Sequence, residues 1–311
     1  MGSEIVSPLP QKKINKKMTI MGNLKYSAKH EIYSMTGYTP EYNKENQDYS
    51  CFTSFVTNKE TTRLYVLADG HGPNGHFASK FCCDTIMHLL EQWMSSAREE
   101  DLTDEKIKQL LTLSFTEAHL RMQTNEEDIR FYKYSGTTMV VALVRKCTLY
   151  IANLGDSRGF LASQVGVKLV TSLVSKDHKP DDPEEKKRIE GTGGVVNAFT
   201  EDDGTLSGPA RVWNKHQTEP GLATSRSLGD LLAHKYGVIP VPGKSSLTSD
   251  VYVKRLDTQD KLLMLASDGV WEYMEPKDII EKAQSFLPTS NVESCCKKIV
   301  SDAADCWAKV S

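Results

Sequence analysis

The stretch VLADGHGPNG, Val66 to Gly75, runs an apolar segment straight into an acid, two glycines and a histidine. Taken from Arg63 to Asp69, RLYVLAD is rich in β-branched, aromatic and leucine residues and predicts a strand. A carboxylate just past the interior of such a strand is costly to bury alone, so it needs solvent, a cation or a hydrogen-bond donor. The arrangement recurs where Asp268 ends KLLMLASD (Lys261 to Asp268) and where Asp156 follows TLYIANL (Thr148 to Leu154) in NLGDSR. Any single Asp-Gly pair is ordinarily a tight turn. The near-continuous apolar runs before Asp69 and Asp268 instead put both carboxylates at the ends of buried strands. Converging acids without a Cys or His cluster suit Mg²⁺ or Mn²⁺, and Gly70 and Gly72 let the backbone approach an ion or a phosphate, with the Gly70 carbonyl as a further donor.

The remaining pattern surrounds these strands with helices. TTMVVALVRK (Thr137 to Lys146) and TLYIANL are separated by Cys147, which predicts a tight antiparallel hairpin. Apolar residues recur at three- and four-residue steps from Phe77 to Trp93 and from Ile107 to Met122, giving two amphipathic helices. Further helices are expected at DDPEEKKRIE, PKDIIEKAQSF and VESCCKKIVSDAADCWAKV. Strands grouped in hairpins with paired helices between them predict an α+β fold with antiparallel sheets covered by helices, not a βαβ nucleotide fold. No P-loop or G-x-G-x-x-G follows a strand.

Length and charge set limits on function. The 311 residues suit one large domain, and no low-complexity block divides them. With 38 basic and 41 acidic side chains, the net charge of -3 supplies no long-range attraction for nucleic acid or an anionic membrane. The apolar runs are too short to span a bilayer, and the N-terminus lacks a signal-peptide core. We therefore expect a soluble, cytoplasmic chain, with the nucleus open to it, that is monomeric, binds no nucleic acid and makes no stable membrane insertion. The opening MGSEIVS places its hydroxyl residue at Ser7, one position late for myristoylation. The seven cysteines include no C-x-x-C pair and read as reduced thiols. Residues 1 to about 30, with QKKINKKM, read as an exposed basic arm.

Seven segments in order carry a resemblance: KENQD (Lys44 to Asp48), VLADGHG, SGTT (Ser135 to Thr138), NLGDSR (Asn153 to Arg158), DHKP (Asp177 to Pro180), GLATSRSLGD (Gly221 to Asp230) and LASDGVWE (Leu265 to Glu272). The series resembles that of the type 2C, metal-dependent (PPM) Ser/Thr protein phosphatases, from about residue 30 to the end. The resemblance implies an antiparallel β-sandwich flanked by helices on both sides, a four-layer α-β-β-α fold with metals at one edge. It implies that Asp69 bridges two Mn²⁺ or Mg²⁺ ions, that the Gly70 carbonyl binds one and Asp268 the other, and that Asp48 orients metal-bound water. Asp156 with Asp268 would hold a third, weaker ion. Hydroxide between the cations would attack the phosphorus in line, and His71 would protonate the leaving alkoxide. Phosphoprotein substrates follow.

The chain departs from the family in two places. Lys44 is the candidate phosphate anchor, and Asn43 and Gln47 stand where a basic residue and a glutamate are common. The family's closing strand with an Asp-Asn pair is missing from residues 31 to 311, the expected phosphatase domain, so either the C-terminus is incomplete, the favoured reading, or one metal site lacks a ligand. Residues from about 192 to 220, rich in glycine and acid, resemble the family's flap beside the active site. Two other readings remain: a catalytically weak relative acting as a binding or regulatory module, and a phosphatase for a small phosphorylated metabolite.

Overall fold

The computed structural model describes residues 16–21, 28–36, 45–243 and 251–310. In chain order its strands are β1 (Lys16–Met21), β2 (Ala28–Ile32), β3 (Asp48–Thr57), β4 (Glu60–His71), β5 (Gly136–Thr137), β6 (Met139–Arg145), β7 (Thr148–Leu154), β8 (Arg158–Val165), β9 (Lys168–Val174), β10 (Val195–Thr200), β11 (Leu206–Trp213), β12 (Pro220–Leu222), β13 (Leu228–Gly229), β14 (Tyr252–Arg255) and β15 (Asp260–Ala266). Its helices are α1 (Gly75–Ser96), α2 (Asp104–Arg121), α3 (Glu126–Phe131), α4 (Pro183–Gly191), α5 (Asp268–Trp271), α6 (Pro276–Gln284) and α7 (Val292–Val310). One sheet runs β13-β5-β4-β6-β7-β14 with β3 also paired to β4, and a second runs β15-β8-β9. All these pairings are antiparallel.

Strand β6 shows how the layers form. Its seven residues, MVVALVR, are all buried, because both faces of the strand are covered. Successive side chains point to opposite faces. Met139, Val141 and Leu143 therefore pack with Ile86 and Leu90 of α1 and Leu111 and Phe115 of α2. Val140, Ala142 and Val144 meet Leu161 of β8 and Leu263 of β15 between the sheets. On the far side, Leu262, Met264 and Ala266 of β15 pack against Ile279 and Ile280 of α6 and Cys295 and Ile299 of α7. The four layers are helix, sheet, sheet and helix, as expected. Trimming a side chain such as Leu143 to alanine would cost about 2–5 kcal/mol through the cavity it leaves.

Local chemistry sets the element ends. Helix α2 starts at Thr103, whose side chain accepts from the Lys106 amide, and Asp104 and Glu105 follow in its first turn. The β6–β7 hairpin turns on two residues, not on Cys147 alone, because Lys146 and Cys147 both take positive φ (46° and 59°), as a two-residue primed turn requires. The expected Thr137–Lys146 strand is also divided at Thr138 into β5 and β6. Two strands separate β4 partners there: β5 pairs with Gly70 and His71, and β6 with Thr62 to Leu67.

Two stretches carry regular structure that the sequence reading did not specify. Within the expected N-terminal arm, Lys16–Met21 is a strand paired with Ala28–Ile32, while residues 1–15 and 22–27 lie outside the described residues. The glycine-rich stretch around residues 192–220 folds into the sheet β10-β11-β12. Val196 and Val212 anchor that sheet on Ile189 of α4, Ala233 and Val238. All seven cysteines are free thiols, and burial pushes Cys295 up to about 11. Among the described residues, no helix is long and apolar enough to cross a membrane.

Strand register carries the acids to one end of the sandwich. Asp48 opens β3 directly opposite Asp69, which lies two residues before the end of β4 because the strand runs on to His71. Leu154 at the end of β7 pairs with Met139 at the start of β6, and Arg158 at the start of β8 pairs with Ala266 at the end of β15. The β7–β8 turn bearing Asp156 and the β15–α5 junction bearing Asp268 thus share that end with Asp48 and Asp69.

Candidate active site

Four carboxylates, from Asp48, Asp69, Asp156 and Asp268, line one cleft of about 850 Å³. Burial holds the Asp69 carboxyl well above the usual carboxylate range, and the negative charges of Asp48, Asp268 and Asp156 add to the rise. Asp268 is raised as well, first by burial and then by Asp156. Ser267, between the end of β15 and Asp268, donates its hydroxyl to Asp48 Oδ2 at 2.9 Å, tying the second sheet to the first. The backbone amide of Asp48 is fixed by Asn46 Oδ1 at 3.0 Å.

Close backbone approach explains Gly70. A Cβ there would lie 2.2 Å from the Gly75 carbonyl oxygen and 2.7 Å from that of Gln47. The Gly70 amide donates to Gln47 O at 3.2 Å, and Gln47 Nε2 donates to Gly72 O at 2.8 Å. Gly72 has φ of +80°, a conformation that glycine adopts without strain. Gln47, the residue that departs from the family pattern, therefore braces the loop carrying His71.

His71 has a partner that sequence reasoning did not assign. Its Nε2 lies 2.6 Å from Asp230 Oδ2. The ladder builds this contact: His71 pairs with Gly136 of β5, and Gly136 pairs with Gly229 of β13, one residue before Asp230. A Cβ on Gly136 would lie 2.1 Å from Asp230 Oδ2, so glycine there leaves room for the carboxylate. Burial pushes the imidazole pKa down, Asp230 pushes it up, and the net shift is upward. The signal available was the last residue of the quoted GLATSRSLGD, to which the motif alone attached no role.

The donor set fits a hard divalent cation. It consists of carboxylates and a backbone carbonyl, with mutual repulsion that positive charge would relieve. Among the described residues, no group of three or more His, Cys, Asp or Glu side chains is placed to hold a metal ion by itself, so an ion here would draw on the Gly70 carbonyl and water as well. The acid set also has a cation of its own, because the Lys179 ammonium pairs with Asp156 Oδ2. Lys44 and Asn43 lie outside the described residues. Tyr134, Arg211 and the β12 residues Pro220, Gly221 and Leu222 also line the cleft. Tyr134 donates its hydroxyl to Glu219 Oε2 at 2.7 Å and so ties the β10–β12 sheet to the rim.

A family model described as protein phosphatase 2C matches residues 35–308. The chain belongs to that family. As a protein phosphatase 2C it is 30% identical over 255 residues to "Probable protein phosphatase 2C 73" of Arabidopsis thaliana, covering 78% of this chain and 65% of that relative. It is 30% identical over 269 residues to "Probable protein phosphatase 2C 72" of the same plant, covering 85% of this chain and 76% of the relative. Among solved structures, the serine-threonine phosphatase 2C from Toxoplasma gondii superposes with a TM-score of 0.71 at 21% identity, covering 93% of each chain. The four-layer arrangement is thus the phosphatase 2C fold. The chain spans slightly less than two thirds of the first relative's length.

Proposed function

We propose that this protein phosphatase 2C hydrolyses phosphoserine and phosphothreonine in protein substrates by direct attack of water. The observation that carries the proposal is the convergence of Asp48, Asp69, Asp156 and Asp268 in one cleft with the His71–Asp230 pair. Two Mn²⁺ or Mg²⁺ ions held by Asp69, the Gly70 carbonyl and Asp268, with a third, weaker ion at Asp156 and Asp268, would supply Lewis-acid charge and an acidified water.

The chain's own residues do the rest. Asp48, fixed by Ser267, orients the attacking water from the β3 side of the cleft. The oxygen leaving from serine or threonine is a poor leaving group and needs a proton. A protonated His71 that gives its Nε2–H to Asp230 keeps its Nδ1–H to deliver. Asp230 holds the ring in place and favours the protonated form. Lys44 anchors the substrate phosphate as a point charge, so its loss affects binding more than chemistry. The β10–β12 sheet is the flap, and its contacts to the rim support a part in substrate choice.

The test is a panel of phosphoserine and phosphothreonine peptides beside small phosphorylated metabolites, run with Mn²⁺ and in ¹⁸O-labelled water. Turnover of the peptides, with one labelled oxygen entering the phosphate, is expected. Preference for the small phosphoesters would favour the metabolite reading. No turnover of any substrate by the folded protein would favour a binding module.

A further inference from the structure

The DHKP segment is bolted to the turn that carries Asp156. The His178 amide donates to the Gly155 carbonyl at 2.9 Å, and the Gly155 amide donates to His178 Nδ1 at 3.1 Å. Asp177 receives Arg158 Nε and Nη2 at 2.7 and 2.9 Å, and Asn153 Nδ2 donates to the Lys176 carbonyl at 2.9 Å. The two segments, residues 153–158 and 176–179, hold each other on both sides of the acid. Lys179 is the next residue along, and its Nζ meets Asp156 Oδ2. Asp156 lines the cleft with its side chain 7% exposed, while the Lys179 side chain is 40% exposed, so a buried acid is paired with a partly solvated cation.

We propose that Lys179 is a built-in counterion that sets how tightly a divalent cation binds at Asp156. The inference rests on the metal reading of the cleft given above. In the metal-free protein the ammonium neutralises Asp156 and limits repulsion within the acid set. A divalent cation approaching Asp156 meets that positive charge and must displace it from the carboxylate. Like charges a few ångströms apart repel each other near a protein surface, an effect reduced here by the solvent on Lys179. An ion at this position would bind weakly because the protein supplies a competitor, and the bracing of residues 176–179 keeps that competitor in reach.

The test is Mn²⁺ binding to the chelated 311-residue chain, read from the electron paramagnetic resonance signal of free Mn²⁺, for the wild type, Lys179→Met, Lys179→Gln and Lys179→Arg. The weakest class of sites should tighten about tenfold in Lys179→Met and Lys179→Gln and stay near wild type in Lys179→Arg. Adding Asp156→Asn to Lys179→Met should remove that class. Met and Gln give two independent neutral replacements, and far-UV circular dichroism identifies the folded one. A weakest class unchanged or loosened in the neutral variants overturns the proposal. So does an unchanged isotherm with a raised KM for a phosphopeptide, which would make Lys179 a substrate contact. Absence of Mn²⁺ binding in every protein, the wild type included, overturns the metal reading and this inference with it.

Discussion

His71 Nε2 and Asp230 Oδ2 lie 2.6 Å apart across a sequence separation of 159 residues. The contact exists because two short strands, β5 and β13, extend the β4 ladder by one step each. An acid that fixes one ring nitrogen leaves the other to meet substrate. Asp230→Asn keeps the shape but removes the charge. We expect kcat for a phosphoserine peptide to fall about 10- to 100-fold, with a smaller loss for an activated aryl phosphate whose leaving group needs little protonation. Equal losses on both substrates would remove His71 from the protonation step.

Asp69 is crowded by three other acids, which raises its pKa in the folded chain. Asp69→Asn should abolish metal-dependent hydrolysis. It should also stabilise the metal-free protein by about 1 kcal/mol, because a repelled negative charge is gone. Urea unfolding in excess chelator checks the second part. A metal-free variant less stable than wild type would mean that the carboxylates do not oppose one another.

Gly70→Ala places a methyl group 2.2 Å from the Gly75 carbonyl oxygen. Both nearest contacts are backbone, so neither can rotate away. We expect a loss of about 1–3 kcal/mol in stability together with most activity, since Asp69 and His71 flank the shifted residue. Thermal unfolding and peptide turnover of the same preparation test this. A fully active, fully stable variant would show that the β4 end has slack.

Three buried histidines make acid stability predictable. Burial pushes His119 and His178 down to about 3 and His234 to about 4, so all are neutral in the fold. Below about pH 6.5 the unfolded chain takes up protons that the folded chain refuses, so stability falls as pH drops from there toward 4. Each group contributes at most about 1.4 kcal/mol per pH unit. His119→Gln should therefore lose up to about 2 kcal/mol less than wild type between pH 7 and pH 5. Parallel unfolding curves across that range would contradict the assignment.

The fold was legible because β6 and β7 carry continuous apolar runs, Met139 to Val144 and Leu149 to Ala152, and α1 and α2 carry a helical period, which together demand two covered sheet faces. Asp69 and Asp268 were legible for the same reason: an acid at the end of a buried strand is conspicuous. Three features were not. Asp230 meets His71 through β5 and β13, whose two-residue pairings leave no periodic trace in the sequence. The β10–β12 sheet folds from LSGPARVW and PGL, whose glycine and proline mask the strand pattern. Lys179 stood in a quoted motif, but its partner Asp156 lies 23 residues earlier and only the fold joins them.

The central claim is that this carboxylate cleft hydrolyses phosphoproteins only when loaded with metal. Its most direct measurement is hydrolysis of a phosphothreonine peptide by the chelated protein, titrated with Mn²⁺ and then Mg²⁺, beside Asp69→Asn. The account predicts no turnover in chelator, turnover restored by either ion in the wild type, and none in the variant. Turnover that persists in chelator, or a folded protein that stays inactive with both ions, would contradict it.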